Sequence, residues 1–423
     1  MKLTLRVLFL LFFATATTGL FAGGGEGEHG EKEPYNMVDE AMHHIADANE
    51  FHLVTYHGHH YSIPLPVILY APGHGFTFGM SSMFDHGTKA VDGYVMNHGR
   101  INRVADPSFP SEEVAIEGGH VNKMMMVDGE EEAVDNVVYN GKHYALDKSS
   151  TIDGGLLGGG ITSFYDFSIT KNVATMMLAA LLLIFIWGRI KAAYQRNEGK
   201  APSGMQSFFE PIFVFMQDEV TKPMIGEKHY ERFQPFIMTL FFFILFCNLL
   251  GLIPFFPGSA NVTGNLAVTM ALALMVFIVT TISGKKDYWL HTFAMPGVPW
   301  YVLLILTPVE ILGLFIKPFS LMIRLFANIS AGHIIILSLI GLIFVFGDVG
   351  NSPGGAATGV LVGGAFTAFM NLIELLVAFL QAFIFAMLAA SYIGAAVEEH
   401  EHESHDGHGG DVHGYAAAVE HQH

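Results

Sequence analysis

Cysteine is nearly absent: the 423 residues hold one, Cys247, inside an apolar run. No disulfide can form within the chain, and a thiolate metal cluster is excluded. Charge is scarce too, at 14% of residues, where soluble domains carry roughly 25%. With 51% hydrophobic residues and a mean hydropathy of +0.42, the chain has too few charges to dress a water-facing surface of its size. Disordered, collagen-like and disulfide-scaffold classes are thereby excluded. A multi-span membrane protein with a soluble part attached remains. The charge that is present is mostly acidic, net −18, which argues against nucleic acid as a partner. A Gly-x-x-x-x-Gly-Lys loop is also lacking, and with it a nucleotide site of that type.

The chain divides into four parts. Residues 1–22 place Lys2 and Arg6 ahead of a short apolar run, Val7 to Phe13, followed by small residues. This reads as a secretory signal, with an uncleaved anchor helix as the alternative; both send the following residues outside the cytoplasm. Residues 23–170 are acidic, rich in Gly and His, and punctuated by Pro and Gly. Alternation over Tyr61 to Tyr70 and Val137 to Leu146 predicts a small external domain containing β-structure. Asn140-Gly141 reads as a hairpin turn, and the opening Glu/Gly/His run as flexible. Residues 171–399 are membrane code, and residues 400–423 a flexible His-rich tail. His57, His59 and His60, and again His400, His402, His405 and His408, admit metal ligation or a solvated low-complexity reading. Without a ligand spacing on a firm helix, no metal site and no cofactor is assigned.

Within the membrane part, Val173 to Gly188 is one short apolar run ending at Arg189, Lys191 and Arg196, while Pro235 to Ile253 and Gly264 to Ser283 are each of spanning length. Gln206 to Met224 mixes Phe, Ile and Met with four charged residues and predicts a surface helix. Trp300 to Phe346 and Thr358 to Val397 would make helices of about 70 and 60 Å at ~1.5 Å per residue, twice the hydrocarbon thickness, so they must tilt or bend. Pro308 and Pro318 offer places to bend. The Gly-rich turn Gly347 to Ala357 makes the two an antiparallel hairpin, and Gly284 to Trp300 reads as a loop. The expected fold is therefore an all-α integral membrane protein of about five inserted helices, one surface helix and a small external β-containing domain. Arg189, Lys191, Arg196, Lys200, Lys222, Lys228, Lys285 and Lys286 fall in alternate loops, which the positive-inside rule puts in the cytoplasm together with the tail.

Ionisable groups inside a span cost several kcal/mol and mark paths or cavities. Glu310, Lys317 and Arg324 are spaced by seven, drifting only ~20° per step, and form one stripe that Asn328 extends. His333 lies about 180° around the helix from Arg324. Glu374 and Gln381 share a face of the last helix. Lys317, beside Pro318, reads equally well as a structural ion-pair partner. Arg324 stays protonated even when buried, and no carboxylate lies within a turn on its own helix. His333 and Glu374 can exchange protons near neutral pH. A fixed cation beside titratable groups on a slanted helix pair points to proton translocation.

Ser320-Leu321-Met322-Ile323-Arg324-Leu325-Phe326-Ala327-Asn328, followed by Ala331-Gly332-His333, resembles the signature of the stator a-subunit family of rotary F-type ATP synthases. Gln381-Ala382-Phe383-Ile384-Phe385 and Phe246-Cys247-Asn248-Leu249-Leu250-Gly251-Leu252-Ile253-Pro254 resemble two further motifs of that family. The resemblance covers Tyr165 to His400. It implies a non-catalytic proton-conducting subunit in a bacterial inner membrane, partnered by lipid, a ring of c subunits and peripheral-stalk b subunits. Arg324 would face the ring and separate two half-channels, with Asn328 and Gln381 beside it. His333, Glu374 and Asn248 would line the outer half-channel, and Glu310 would lie towards the cytoplasmic outlet. Many bacterial members carry Glu where His333 stands and His where Glu374 stands, so the pair is transposed here. Ala327 replaces a common Gly. The ion choice rests largely on the ring carboxylate, with a lean to the proton. A secondary proton-coupled transporter is the alternative, but the inverted repeats such proteins often show are not found.

Overall fold

The computed structural model describes residues 46–398 apart from 57–58, 105, 107, 117–122, 128–129, 152–161, 254–259, 294, 296–297 and 347–352. The expected signal segment, the opening Glu/Gly/His run and the His-rich tail lie outside the described residues, as does most of the Gly-rich turn before the last helix.

Thirteen short strands build the N-terminal part of the described chain. Three are hairpins: β1 (Glu50–Tyr56) with β2 (His59–Pro64), β9 (Lys123–Val127) with β10 (Glu130–Val134), and β11 (Asn136–Tyr139) with β12 (Lys142–Ala145). A four-stranded sheet runs β7 (Arg100–Arg103), β6 (Tyr94–Asn97), β5 (Lys89–Val91), β8 (Val114–Ala115). A three-stranded sheet runs β13 (Tyr165–Asp166), β3 (Pro66–Ala71), β4 (Gly75–Met80). Three turns share one device, two successive residues at positive φ: Asp92-Gly93, His98-Gly99 and Asn140-Gly141. That geometry matches the right-handed strand twist, and Asn140-Gly141 joins β11 to β12 as its sequence predicts. The alternating run Tyr61 to Tyr70 is split at Leu65, whose backbone binds Ser81 instead of continuing a ladder. Val67, Leu69, Phe84, Tyr94, Ile101 and Phe164 fill one core, and Val95, Phe109, Val137 and Tyr144 are among those filling a second.

Eight α-helices follow among the described residues. α1 (Lys171–Arg196) is capped by Thr170, whose Oγ1 accepts from Val173 N–H at 3.4 Å. α2 (Met205–Phe215) passes through a π-turn, Met216–Thr221, into α3 (Lys222–Ile225), so the expected single helix over this region is interrupted. α4 (Tyr230–Gly251) and α5 (Leu266–Ser283) match their apolar runs. The expected loop Gly284 to Trp300 instead carries α6 (Lys286–Phe293). α7 (Trp300–Phe346) continues through Pro308 and Pro318. α8 (Pro353–Val397) starts inside the expected turn, with proline at its first position, where the missing N–H costs nothing. Five of these helices are long and apolar enough to cross a membrane.

α4 is the hub: 67% of its apolar window is buried, against none of the corresponding α7 window. Its Ile237, Phe241 and Leu245 pack in one cluster with Val276 of α5, Leu325 of α7 and Phe385 of α8. α8 contributes a face of small residues, including Ala382, Ala386, Ala389 and Ala390, which lets backbones approach closely. At Gly394 the approach is so near that an added methyl would run into the Met224 carbonyl of α3. Gly332 of α7 meets Glu374 of α8, while Lys317 lies over Tyr392, so contacts between the two run in opposite chain directions.

Where strands pass into helix, Arg100 lies 3.6 Å from Asp47 and 3.7 Å from Asp166. Burial pushes the Asp166 carboxyl above its usual range, opposed by hydrogen bonds from Ser168 and the Arg100 charge. A carboxyl whose folded pKa is raised opposes folding when ionised; this penalty is full above the folded value and vanishes below the unfolded one. Asp166→Asn keeps an acceptor for Ser168 and removes the charge. Thermal scans of the purified chain should show it melting above the parent at neutral pH, the advantage fading as pH falls to the ordinary 3.8. Lower melting than the parent at neutral pH would contradict this balance.

Candidate functional site

The helical repeat determines which groups of α7 face outward. Leu321, Leu325 and Ile329 are buried against the bundle, so Arg324 and Asn328 are exposed together on the other face. Among the described residues Arg324 has neither an ion pair nor a hydrogen bond; its charge is felt by Tyr392 of α8. An arginine at the middle of a span costs about 3 kcal/mol or more unless something receives it. Among the described residues nothing receives this guanidinium.

His333, nine residues on, turns inward. Its Nε2 stands 3.9 Å from Glu374 Oε1, too far for a direct hydrogen bond. Glu374 is 5% exposed and its Oε1 has no hydrogen-bond partner. The carboxyl fits because Gly332 has no side chain: a Cβ there would stand 2.9 Å from Oε1. One turn along α8, Asn248 of α4 donates from Nδ2 to the Ala378 carbonyl at 3.1 Å and accepts from Thr263 Oγ1 at 2.6 Å. Lys171, buried at the start of α1, acts electrostatically on His333. The structure thus brings His333, Glu374, Gly332 and Lys171 together, with Asn248 and Thr263 beside them.

A second polar group forms at the other end of α7. Lys317 Nζ lies 5.7 Å over the Tyr392 ring. The two line a cavity of about 20 Å³ with Thr280, Tyr288 and Pro318, room for about one water. Thr280 Oγ1 is buried without a partner. Glu310 is half-buried nearby; together with burial it pushes the Tyr288 hydroxyl up. Arg324 lies roughly 10 Å along the axis from Lys317 and roughly 13 Å from His333, at ~1.5 Å per residue. Gln381 is buried, and no hydrogen bond links it to Arg324 among the described residues. Sequence reasoning gave no role to Lys171, Thr263, Gly332 or Tyr392. Tyr392 follows Glu374 by five full helical turns, a periodicity that could have placed it on that face. Lys171 looks in sequence like an ordinary basic flank of a span.

Residues 173–394 match a family model described as ATP synthase A chain. Residues 41–153 match another described as a domain of unknown function. The chain is 43% identical to the ATP synthase subunit a of Chloroherpeton thalassium over 256 residues, 60% of this chain and 72% of that protein. It is 44% identical to ATP synthase subunit a 2 of Chlorobaculum tepidum, covering 58% and 67%. Against the ATP synthase subunit a of Myxococcus xanthus the identity is 45%, covering 58% and 78%.

Asn248 is the joint of the first polar group. Asn248→Leu leaves the Thr263 hydroxyl and the Ala378 carbonyl without this partner, a loss of about 1–3 kcal/mol for each unsatisfied buried group. Thermal unfolding of the purified variant should shift down; unchanged melting would show that the tie between α4 and α8 carries no stability.

Proposed function

The chain belongs to the ATP synthase A chain family, and on that premise we propose that it is the proton-conducting stator subunit of a bacterial F-type ATP synthase. It carries no catalysis of its own; ATP chemistry belongs to other chains, and rotation of a c-subunit ring is coupled to proton flow along this one. The observation that carries the reading is Arg324, a fixed cation exposed on α7 with no partner among the described residues, lying between two separate polar groups. In this reading the guanidinium faces the passing ring carboxylates. It makes each one release its proton before crossing, and its charge blocks a direct path between the two sides. Asn328 shares that face, and Gln381 supports it from α8.

The outer half-channel runs past Asn248, Glu374 and His333; the inner one leaves past Glu310. Glu374 Oε1 and Thr280 Oγ1, buried without hydrogen bonds, support water in both paths. α7 and α8 form a tilted hairpin in the membrane, because helices of 47 and 45 residues exceed twice the ~20 residues that cross upright. α2 to α3 lie on the cytoplasmic surface near the peripheral-stalk b subunits. Residues 1–22 act as signal, 23–170 form the external domain, 171–399 the membrane domain and 400–423 a cytoplasmic tail, all in a bacterial inner membrane.

Arg324→Ala should abolish ATP synthesis driven by an imposed pH gradient in vesicles, while passive proton leak persists or rises. Normal synthesis in that variant would refute the reading. The transposed pair gives a separate test. His333→Ala and Glu374→Ala should each slow synthesis, whereas exchanging the two, His333→Glu with Glu374→His, should restore substantial flux. If the exchange does no better than the worse single change while the complex assembles normally, the two do not act as one proton-handling unit.

A further inference from the structure

The three-stranded sheet β13–β3–β4 has one face without a single charged group. Register pairs Pro66 with Met80, Ile68 with Phe78, and Tyr70 with both Phe76 and Tyr165. The third strand continues beyond β13: Phe167 N–H and Ile169 N–H donate to the Ile68 and Pro66 carbonyls. Strand alternation then puts Tyr165, Phe167 and Ile169 on the same side as those pairs. Phe78 is 69% exposed and Phe76 59%. The rings form a continuous row, with centroids 6.1 Å apart from Tyr165 to Tyr70, 4.7 Å from Tyr70 to Phe76 and 5.6 Å from Phe76 to Phe78. A contiguous apolar face of this kind marks a surface that something covers.

The chain indicates what covers it. The strand that ends at Ile169 leads into α1 at Lys171 with only Thr170 between. From Tyr165 to Gly188 the two charged residues, Asp166 and Lys171, are both buried, Asp166 facing Arg100. Everything this segment exposes is uncharged, ending in Leu181, Ile184 and Phe185 on the membrane helix. The lipid-facing surface of α1 therefore begins on the sheet rather than at the start of the helix. Lengths agree. Lys171 to Arg189 spans about 27 Å of helix, close to the ~30 Å hydrocarbon core. The strand residues 165–169 fall just beyond it, where head groups bring a bilayer to about 40–45 Å. Aromatic residues gather at that level because ring and polar tip suit the two sides of the boundary.

We propose that this sheet face rests in the head-group region of the leaflet that α1 enters, an aromatic platform holding the β-domain against the bilayer. It requires only that α1 crosses a membrane, and Arg324 has no part in it. The test uses the full chain in phospholipid vesicles, with Cys247→Ala and a single bimane-labelled cysteine at Phe78→Cys, at Phe167→Cys, or at Lys142→Cys, the exposed first residue of β12. Nitroxide lipids labelled near the head group should quench the probes at 78 and 167 more than lipids labelled near the chain end. Iodide present on both sides should quench the probe at 142 and spare the other two. Iodide quenching at 78 and 167 equal to that at 142 would place the face in water and overturn the proposal. Protection from both quenchers would mean that protein covers it, a second copy or another subunit, and would overturn it equally.

Discussion

The contact between Gly332 of α7 and Glu374 of α8 sets the terms for the rest of the membrane part. Glu374 occupies space that exists only because Gly332 lacks a side chain. Once the carboxyl is lodged there, the next residue of α7, His333, is held near it. One turn further along α8, the Ala378 carbonyl is presented to Asn248. Helical geometry does the remainder. With His333 turned inward, Arg324 is carried to the far face, where no carboxylate of the described residues pairs with it. The separation between a titratable pair and a fixed cation follows from one close helix contact.

The β-domain and the bundle are joined by backbone bonds as well as by the chain. Lys171 N–H donates to the Ala48 carbonyl at 2.8 Å, and Asn172 N–H donates to Asp47 Oδ1 at 3.1 Å. Two of the four N–H groups that a helix start leaves unmet are thus met by the domain. Asp47 also faces Arg100, which faces Asp166. The charges near this junction are turned towards one another, which leaves the outward surface apolar.

Much of the bundle is legible from hydropathy, because lipid forces a span to be apolar whatever its partners are. α5 and α7 fall on their runs within two residues, α4 and α8 begin five residues early at Tyr230 and Pro353, and α1 runs eight residues past Gly188 to Arg196. α6 was missed because its eight residues mix charged and aromatic side chains and are too few for a periodic signal. The Asn140-Gly141 turn was readable from composition. Asp92-Gly93 carried the same signal, whereas His98-Gly99 did not, since His-Gly is not among the dipeptides that mark a two-residue hairpin turn. Arg324, His333 and Glu374 could be picked out as ionisable groups in apolar surroundings. The space for Glu374 could not, because it depends on a glycine of another helix. The uncharged sheet face is likewise hidden: its three rows come from segments as far apart as Pro66 and Ile169, and no single run shows it.

These features meet at Lys171. Its backbone is bound by the β-domain, its side chain is buried, and its charge reaches His333 on α7. With only Thr170 between the sheet and α1, there is no slack through which the domain could move while leaving the helix start in place. A displacement of the sheet against the bundle would have to carry Lys171 with it, and so change the field at the imidazole. In a low-dielectric setting such a change is felt strongly. The β-domain and the His333–Glu374 pair are thus linked through one residue, Lys171, whose backbone belongs to the junction and whose charge acts on the imidazole.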